Sequence, residues 1–167
     1  QLYVSRTNPD RLYIFSTNGL YLIRFSKGSW IWEGNIAGIT TGVQSMAEDQ
    51  QGNLWLVMNN FKRLVQLKPE TDPDSLVKTE ITFKKSFYDP SELISSRWIK
   101  CFSIKGRVLF GTDKGLYTFD AKTRKFLPDT TLGSQFSKGT HAVYILLEGP
   151  KVEVVVAGQL HYGDNIV

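Results

Sequence analysis

This 167-residue chain has two histidines, one cysteine and scattered carboxylates as its candidates for acid–base work or metal binding. His141 and His161 fall near Glu148, Glu153 and Asp164. A His161/Asp164 pair is the combination suited to acid–base work or a metal, and its simpler role is that of polar residues in a loop or on an edge strand. Cys101 is alone, which excludes an intrachain disulfide or a cysteine metal cluster. Within Trp98-Ile-Lys-Cys-Phe-Ser-Ile104 it reads as a small core residue. Asp49-Gln-Gln-Gly52 has the acid and the glycine of a calcium loop but lacks alternating oxygen ligands and a distal glutamate. No Gly-rich phosphate loop, Gly-x-Ser-x-Gly or His-Glu-x-x-His run occurs. These residues point away from catalysis, and they imply no catalytic residue, no metal and no cofactor.

A second group of residues suits recognition. Sugar rings stack on aromatic faces, while Arg, Asp, Asn and Lys bond their hydroxyls. Tyr88, Asp89, Arg97 and Trp98 supply these types around one irregular stretch of the chain. Asn59, Asn60 and Lys62 supply them from one turn, and Asp113 and Lys114 from another. These nine are the candidate ligand-binding residues. Whether they converge depends on the elements that carry them.

Those elements are strands, and they repeat. Leu12-Tyr-Ile-Phe-Ser-Thr-Asn-Gly-Leu20, Leu54-Trp-Leu-Val-Met-Asn-Asn-Phe-Lys-Arg-Leu64, Leu109-Phe-Gly-Thr-Asp-Lys-Gly-Leu116 and Val154-Val-Val-Ala-Gly-Gln-Leu160 each run from a strand through a turn to a leucine that opens the next strand. The leucines stand 44, 52 and 44 residues apart. A period near forty with several short strands per copy is the spacing of β-propeller blades. Helical periodicity is almost absent, and β-branched and aromatic runs alternate with Gly, Pro, Asn and Asp.

Strands are expected at 2–6, 12–16, 20–25 and 30–33 in the first copy, and at 43–47, 54–58, 64–67 and 77–83 in the second. The third copy has them at 99–104, 108–111, 116–120 and 125–127, and the fourth at 142–147, 153–157 and 160–162. The sequence thus predicts an all-β fold, a β-propeller fragment of about four blades (1–42, 43–97, 98–140, 141–167). Each blade is an antiparallel sheet of up to four strands, and the last is incomplete. That unfinished copy, with a start at Gln1 inside a strand pattern, reads as a piece of a larger ring.

The long interval places its extra residues at Lys84–Arg97, expected as a loop after a Pro-rich turn at Lys68–Asp74. In an antiparallel four-strand blade, the turn between second and third strands and the link to the next blade emerge on the same side. Loops on one face of a repeat array are a common binding face. On the strands, Trp55 and Phe110 are expected at equivalent core positions, and one of Trp30 and Trp32 should face outward.

A hydrophobic share of 41% with 22% charged residues describes a folded chain rather than a disordered one. The net charge of +4 is spread out, with no basic stripe of the kind that nucleic-acid binding requires. No apolar run approaches the ~18 residues of a membrane helix.

The repeats resemble the two-component-regulator propeller repeat, in which an acidic turn with Gly precedes Leu-Trp-Ile-Gly-Thr, two turn residues, Gly-Leu and an aromatic strand. Ala47-Glu-Asp-Gln-Gln-Gly-Asn-Leu-Trp-Leu56 matches its first half and Val108-Leu-Phe-Gly-Thr-Asp-Lys-Gly-Leu-Tyr-Thr-Phe-Asp120 its second. Thr17-Asn-Gly-Leu-Tyr21 matches in the first copy. The fourth copy departs, with Gln159 in the glycine position, and the second has Arg63 before its leucine. The resemblance covers essentially the whole chain. It implies the periplasmic, extracytoplasmic sensor region of a bacterial two-component receptor, with a histidine kinase elsewhere in the polypeptide and oligosaccharides as ligands. Partners would then be neighbouring blades or modules of the same parent chain, and a homodimer is a further expectation. The rival readings are a propeller scaffold for protein–protein contacts and a polysaccharide- or lactone-cleaving propeller enzyme.

Overall fold

In the computed structural model the chain divides into two compact units, Gln1–Tyr88 and Asp89–Val167. Residues 1–36, 38–59, 63–70, 82–88, 98–137, 139, 141–148 and 154–157 are described. Among them the fold is all-β, built from antiparallel sheets whose strands neighbour one another in chain order.

The first unit holds two four-stranded sheets. One is β1 (Leu2–Val4), β2 (Arg11–Ser16), β3 (Gly19–Ser26) and β4 (Ser29–Asn35). The other is β5 (Val43–Glu48), β6 (Leu54–Met58), β7 (Leu64–Glu70) and β8 (Thr82–Tyr88). The second unit holds β9 (Ile99–Ile104), β10 (Arg107–Thr112), β11 (Gly115–Asp120) and β12 (Lys125–Pro128) in a four-stranded sheet. Beside it lies a two-stranded sheet of β13 (Ile145–Glu148) and β14 (Val154–Ala157). The one described helix is a short 3-10 turn at Ser134–Phe136.

Local chemistry accounts for the hairpins. Lys27-Gly28 and Lys105-Gly106 each place two successive residues at positive φ, and each joins strands with two residues between them. That conformation matches the right-handed twist of the flanking strands, and a glycine at its second position removes the Cβ penalty. Alternation does the rest. Along β2, Arg11, Tyr13 and Phe15 are buried while Leu12, Ile14 and Ser16 are half-buried, so one face of the first sheet packs inward.

That inward face carries Tyr13, Phe15, Leu20 and Leu22, which form one core with Met46, Leu54, Leu56, Val65 and Leu67 of the second sheet. In the second unit, Leu109 and Leu116 pack with Val143 and Leu146. Cys101 is buried and outside any disulfide, as its apolar surroundings in sequence suggest.

Three expectations about strands need correction. The outer strand of the second copy is Thr82–Tyr88 rather than 77–83, and residues 77–81 lie outside the described set. The stretch 84–97 therefore begins as strand, and Tyr88 ends β8 instead of riding on a loop. Likewise Lys68–Glu70 prolong β7 instead of turning. Pro69 is tolerated there because β6 stops pairing at Leu67, leaving β7 with β8 on one flank only. In the fourth copy the first strand starts at Ile145, three residues after Ala142.

A fourth correction concerns faces. Leu64 pairs with Val57 whereas Leu116 pairs with Gly111. Counting from the anchoring leucines, Trp55 corresponds to Leu109, and Phe110 to Leu56. Trp55 and Phe110 thus lie on opposite faces of their sheets, although both are buried. The turns differ by two residues, whereas matching Trp55 to Phe110 would need three, and the odd residue puts the two rings on opposite faces.

Candidate ligand site at the turn-bearing end of the strands

In each unit, the link out of the fourth strand passes across the turn between the second and third strands. Ile36 donates its N–H to the Leu20 carbonyl at 2.8 Å, and Asp129 donates to the corresponding Leu116 carbonyl at 2.8 Å. Gly19 and Gly115 sit at φ 139° and 127° beneath these links. A Cβ on either would meet the carbonyl oxygen of Ile39 or Phe136. The motif glycines are therefore where two segments of backbone touch, which is an architectural role. They also show that these turns and links share one end of the sheet, as strand parity requires.

In the second unit this end gathers an aromatic and basic cluster. Trp98 immediately precedes β9 and Tyr144 immediately precedes β13. Their rings meet edge to face at 4.9 Å, and Lys100 holds its Nζ 4.0 Å from the Tyr144 ring centroid. Such edge-to-face and cation–π contacts fix the orientation of exposed rings. Thr112 pairs with Ile99 and accepts the Val143 N–H at 2.9 Å. One rung beyond, the Asp113–Lys114 turn follows on the same end.

That turn is tightly held. The Thr112 hydroxyl donates to the Gly115 carbonyl at 3.0 Å and accepts the Lys114 N–H at 3.0 Å. Asp113 and Lys114 are half-buried. Burial, and then the Asp113 charge, hold the Tyr117 hydroxyl above its ordinary pKa. On the link itself His141 is exposed, with Nδ1 3.2 Å from the Gln135 carbonyl oxygen and its ring against Phe136. The arrangement offers a ring edge, a phenol, an ammonium group and a carboxylate at one end of a sheet. It is suited to holding a polyhydroxylated ligand.

The nine residues singled out from the sequence divide by location. Trp98, Asp113 and Lys114 fall together in the second unit. Asn59 lies in the first unit, exposed, with its N–H donated to the Gly42 carbonyl at 2.8 Å. Tyr88 closes β8. Asn60, Lys62, Asp89 and Arg97 lie outside the described residues, as do His161 and Asp164 of the rival acid–base pair. Sequence reasoning missed Lys100 and Tyr144. Tyr144 occupies in the fourth copy the place of Trp98 in the third, but an expected strand from Ala142 hid that equivalence.

The acid of Asp49-Gln-Gln-Gly52 serves its own turn. Asp49 Oδ1 accepts the N–H groups of Gln51 and Asn53, and Oδ2 accepts from the Asn53 side chain at 2.8 Å. Among the described residues no group of three metal-ligating side chains forms, and no helix is long and apolar enough to cross a membrane.

A class of protein follows from the fold: among the described residues it is all-β, a succession of antiparallel meanders. No protein-family profile matches the chain, and no curated protein matches it significantly.

Proposed function

We propose that this chain is a β-propeller segment that binds a glycan-derived oligosaccharide at the turn-bearing end of its blades. It would serve as part of the periplasmic sensor region of a two-component receptor. The observation that carries the ligand reading is the Trp98–Tyr144–Lys100 cluster beside the Asp113–Lys114 turn. The propeller reading is supported by the repeated hydrogen bonds at Leu20 and Leu116, equivalent positions 96 residues apart whose carbonyls each accept an N–H from the following link at 2.8 Å. Relay to a kinase rests on the resemblance of the repeats. It requires a ligand with unequal affinity for two states of the receptor.

Calorimetry and glycan-array binding with neutral and acidic oligosaccharides test this. A ligand found there should bind about tenfold or more weakly to Trp98→Ala and to Tyr144→Ala, a loss of about 1.4 kcal/mol or more. A glycan that binds both variants as tightly as the native chain removes the site. Turnover of a bound glycan, lost in His161→Ala, would establish the enzyme reading instead.

A further inference from the structure

Lys100, the second residue of β9, is half-buried, and its ammonium group lies over the Tyr144 ring. Gly111, its partner on β10, makes that approach possible. A Cβ at Gly111 would strike the Val143 carbonyl oxygen, so only a bare backbone lets the Val143–Tyr144 segment lie against the sheet here.

An ammonium group carries three N–H donors, and an aromatic face answers its charge without supplying a lone pair. Among the described residues no carboxylate, carbonyl or hydroxyl accepts from Lys100. Lys114, half-buried in the turn between β10 and β11, likewise forms no ion pair among them. The acids of this end leave an excess of positive charge. Asp129, on the link, is already paired with Arg107 at 2.7 Å. Asp113 then stands as one carboxylate against two ammonium groups.

We propose that the oligosaccharide bound at this end is an acidic one, whose carboxylate or sulfate ester is received by Lys100 beside the Trp98 ring. The proposal rests on the ligand reading above and narrows it from glycan fragments in general to charged ones. A sugar hydroxyl answers an N–H donor but not the charge, whereas an anion answers both with a bond about twice as strong. The Tyr144 ring has already fixed the flexible lysine stem, so little side-chain freedom remains to be lost when the anion arrives. Lys114 adds to the attraction from the neighbouring turn.

Matched glycans test this by calorimetry on the 167-residue chain. Oligo-uronates are compared with the same backbones after reduction of their carboxyl groups to alcohols, and sulfated oligosaccharides with their desulfated forms. The acidic member of a pair should bind about tenfold or more tightly than its neutral match. That gap should shrink between about 0.1 M and about 1 M salt. Which of the two series binds identifies the anion. Lys100→Met keeps the apolar stem and should abolish the gap without changing the affinity of the neutral member, and Lys100→Arg should restore it. Should Lys100→Met lose the native dichroism spectrum, the salt dependence of the native chain decides. Equal affinity for acidic and neutral members, in a chain whose binding falls in Trp98→Ala, overturns the acidic class and leaves the ligand site standing. Acidic binding that survives Trp98→Ala, Tyr144→Ala and Lys100→Met overturns both, as does a failure to bind any member of either series.

Discussion

Glu48 offers the sharpest test of how the first unit is held together. It is 1% exposed, at the end of β5. Its Oε1 accepts the hydroxyls of Ser5 at 2.9 Å and Thr7 at 2.6 Å, and Oε2 accepts the Arg6 N–H at 2.6 Å. One carboxylate of the second sheet thus clasps the turn that follows β1 of the first. Hydrogen bonds to a charged acceptor are worth about 1.5–3 kcal/mol each, but the carboxylate's own desolvation offsets much of their sum. Glu48→Ala leaves the buried Ser5 hydroxyl and the Arg6 N–H without this acceptor and opens a void. The expected loss is about 2–4 kcal/mol, from buried donors left unsatisfied at about 1–3 kcal/mol each, less the desolvation of the carboxylate that the variant no longer bears. Glu48→Gln keeps a carbonyl for Ser5 and Thr7 but sets an amide N–H₂ against the Arg6 N–H, and should lose about 2 kcal/mol. Urea unfolding followed by dichroism gives both values, and amide exchange at Arg6 should accelerate in both variants. A loss below about 1 kcal/mol for Glu48→Ala, or Arg6 exchange unchanged, would refute the clasp.

Two further outcomes follow from the same packing. Burial, then the Glu48 charge, raise the Tyr13 pKa above its ordinary value, with Arg11 opposing. The native state therefore keeps this proton where the unfolded chain releases it. Stability from Tyr13 is full below about pH 10 and falls by up to about 1.4 kcal/mol per unit above it. Tyr13→Phe should flatten that alkaline limb in urea titrations, and a slope identical to native would contradict the assignment. Gly115→Ala forces a Cβ into the Phe136 carbonyl at φ 127° and should cost about 2–3 kcal/mol by thermal unfolding. An unchanged midpoint would show that the link does not lie against this turn.

What was legible in the sequence was local. Lys27-Gly28 and Lys105-Gly106 announce their hairpins because a two-residue turn of positive φ needs little beyond its own residues. β6 and β9 have the bounds that alternation and turn residues predict. Pairing between distant segments was less legible. β8 lies five residues beyond its expected place because its partner, β7, runs on through Pro69, a residue that reads as a breaker until its unpaired flank is known. Trp55 and Phe110 lie on opposite faces because the pairing register absorbs two of the three extra residues between Trp55 and Leu64 in the turn, a split that no strand pattern reveals. The clasp at Glu48 joins residues more than forty apart in sequence, so its acid reads simply as part of the turn before Gly52.

The site shows the same division. Trp98 was legible as an aromatic next to a loop, whereas its partnership with Tyr144 and Lys100 depends on how β13 packs beside β9. Trp30 and Trp32 make the limit explicit. Two residues apart on a strand, they must share a face, and alternation alone could establish that. Both are exposed, where one was expected to face outward. Whether the face is covered is a property of the neighbouring sheet. The second sheet buries its equivalent positions and the first leaves them open, although both carry the same kind of apolar pattern. Hydrophobic alternation thus specifies a surface that must be covered, and the choice of cover is made by the partner that binds it.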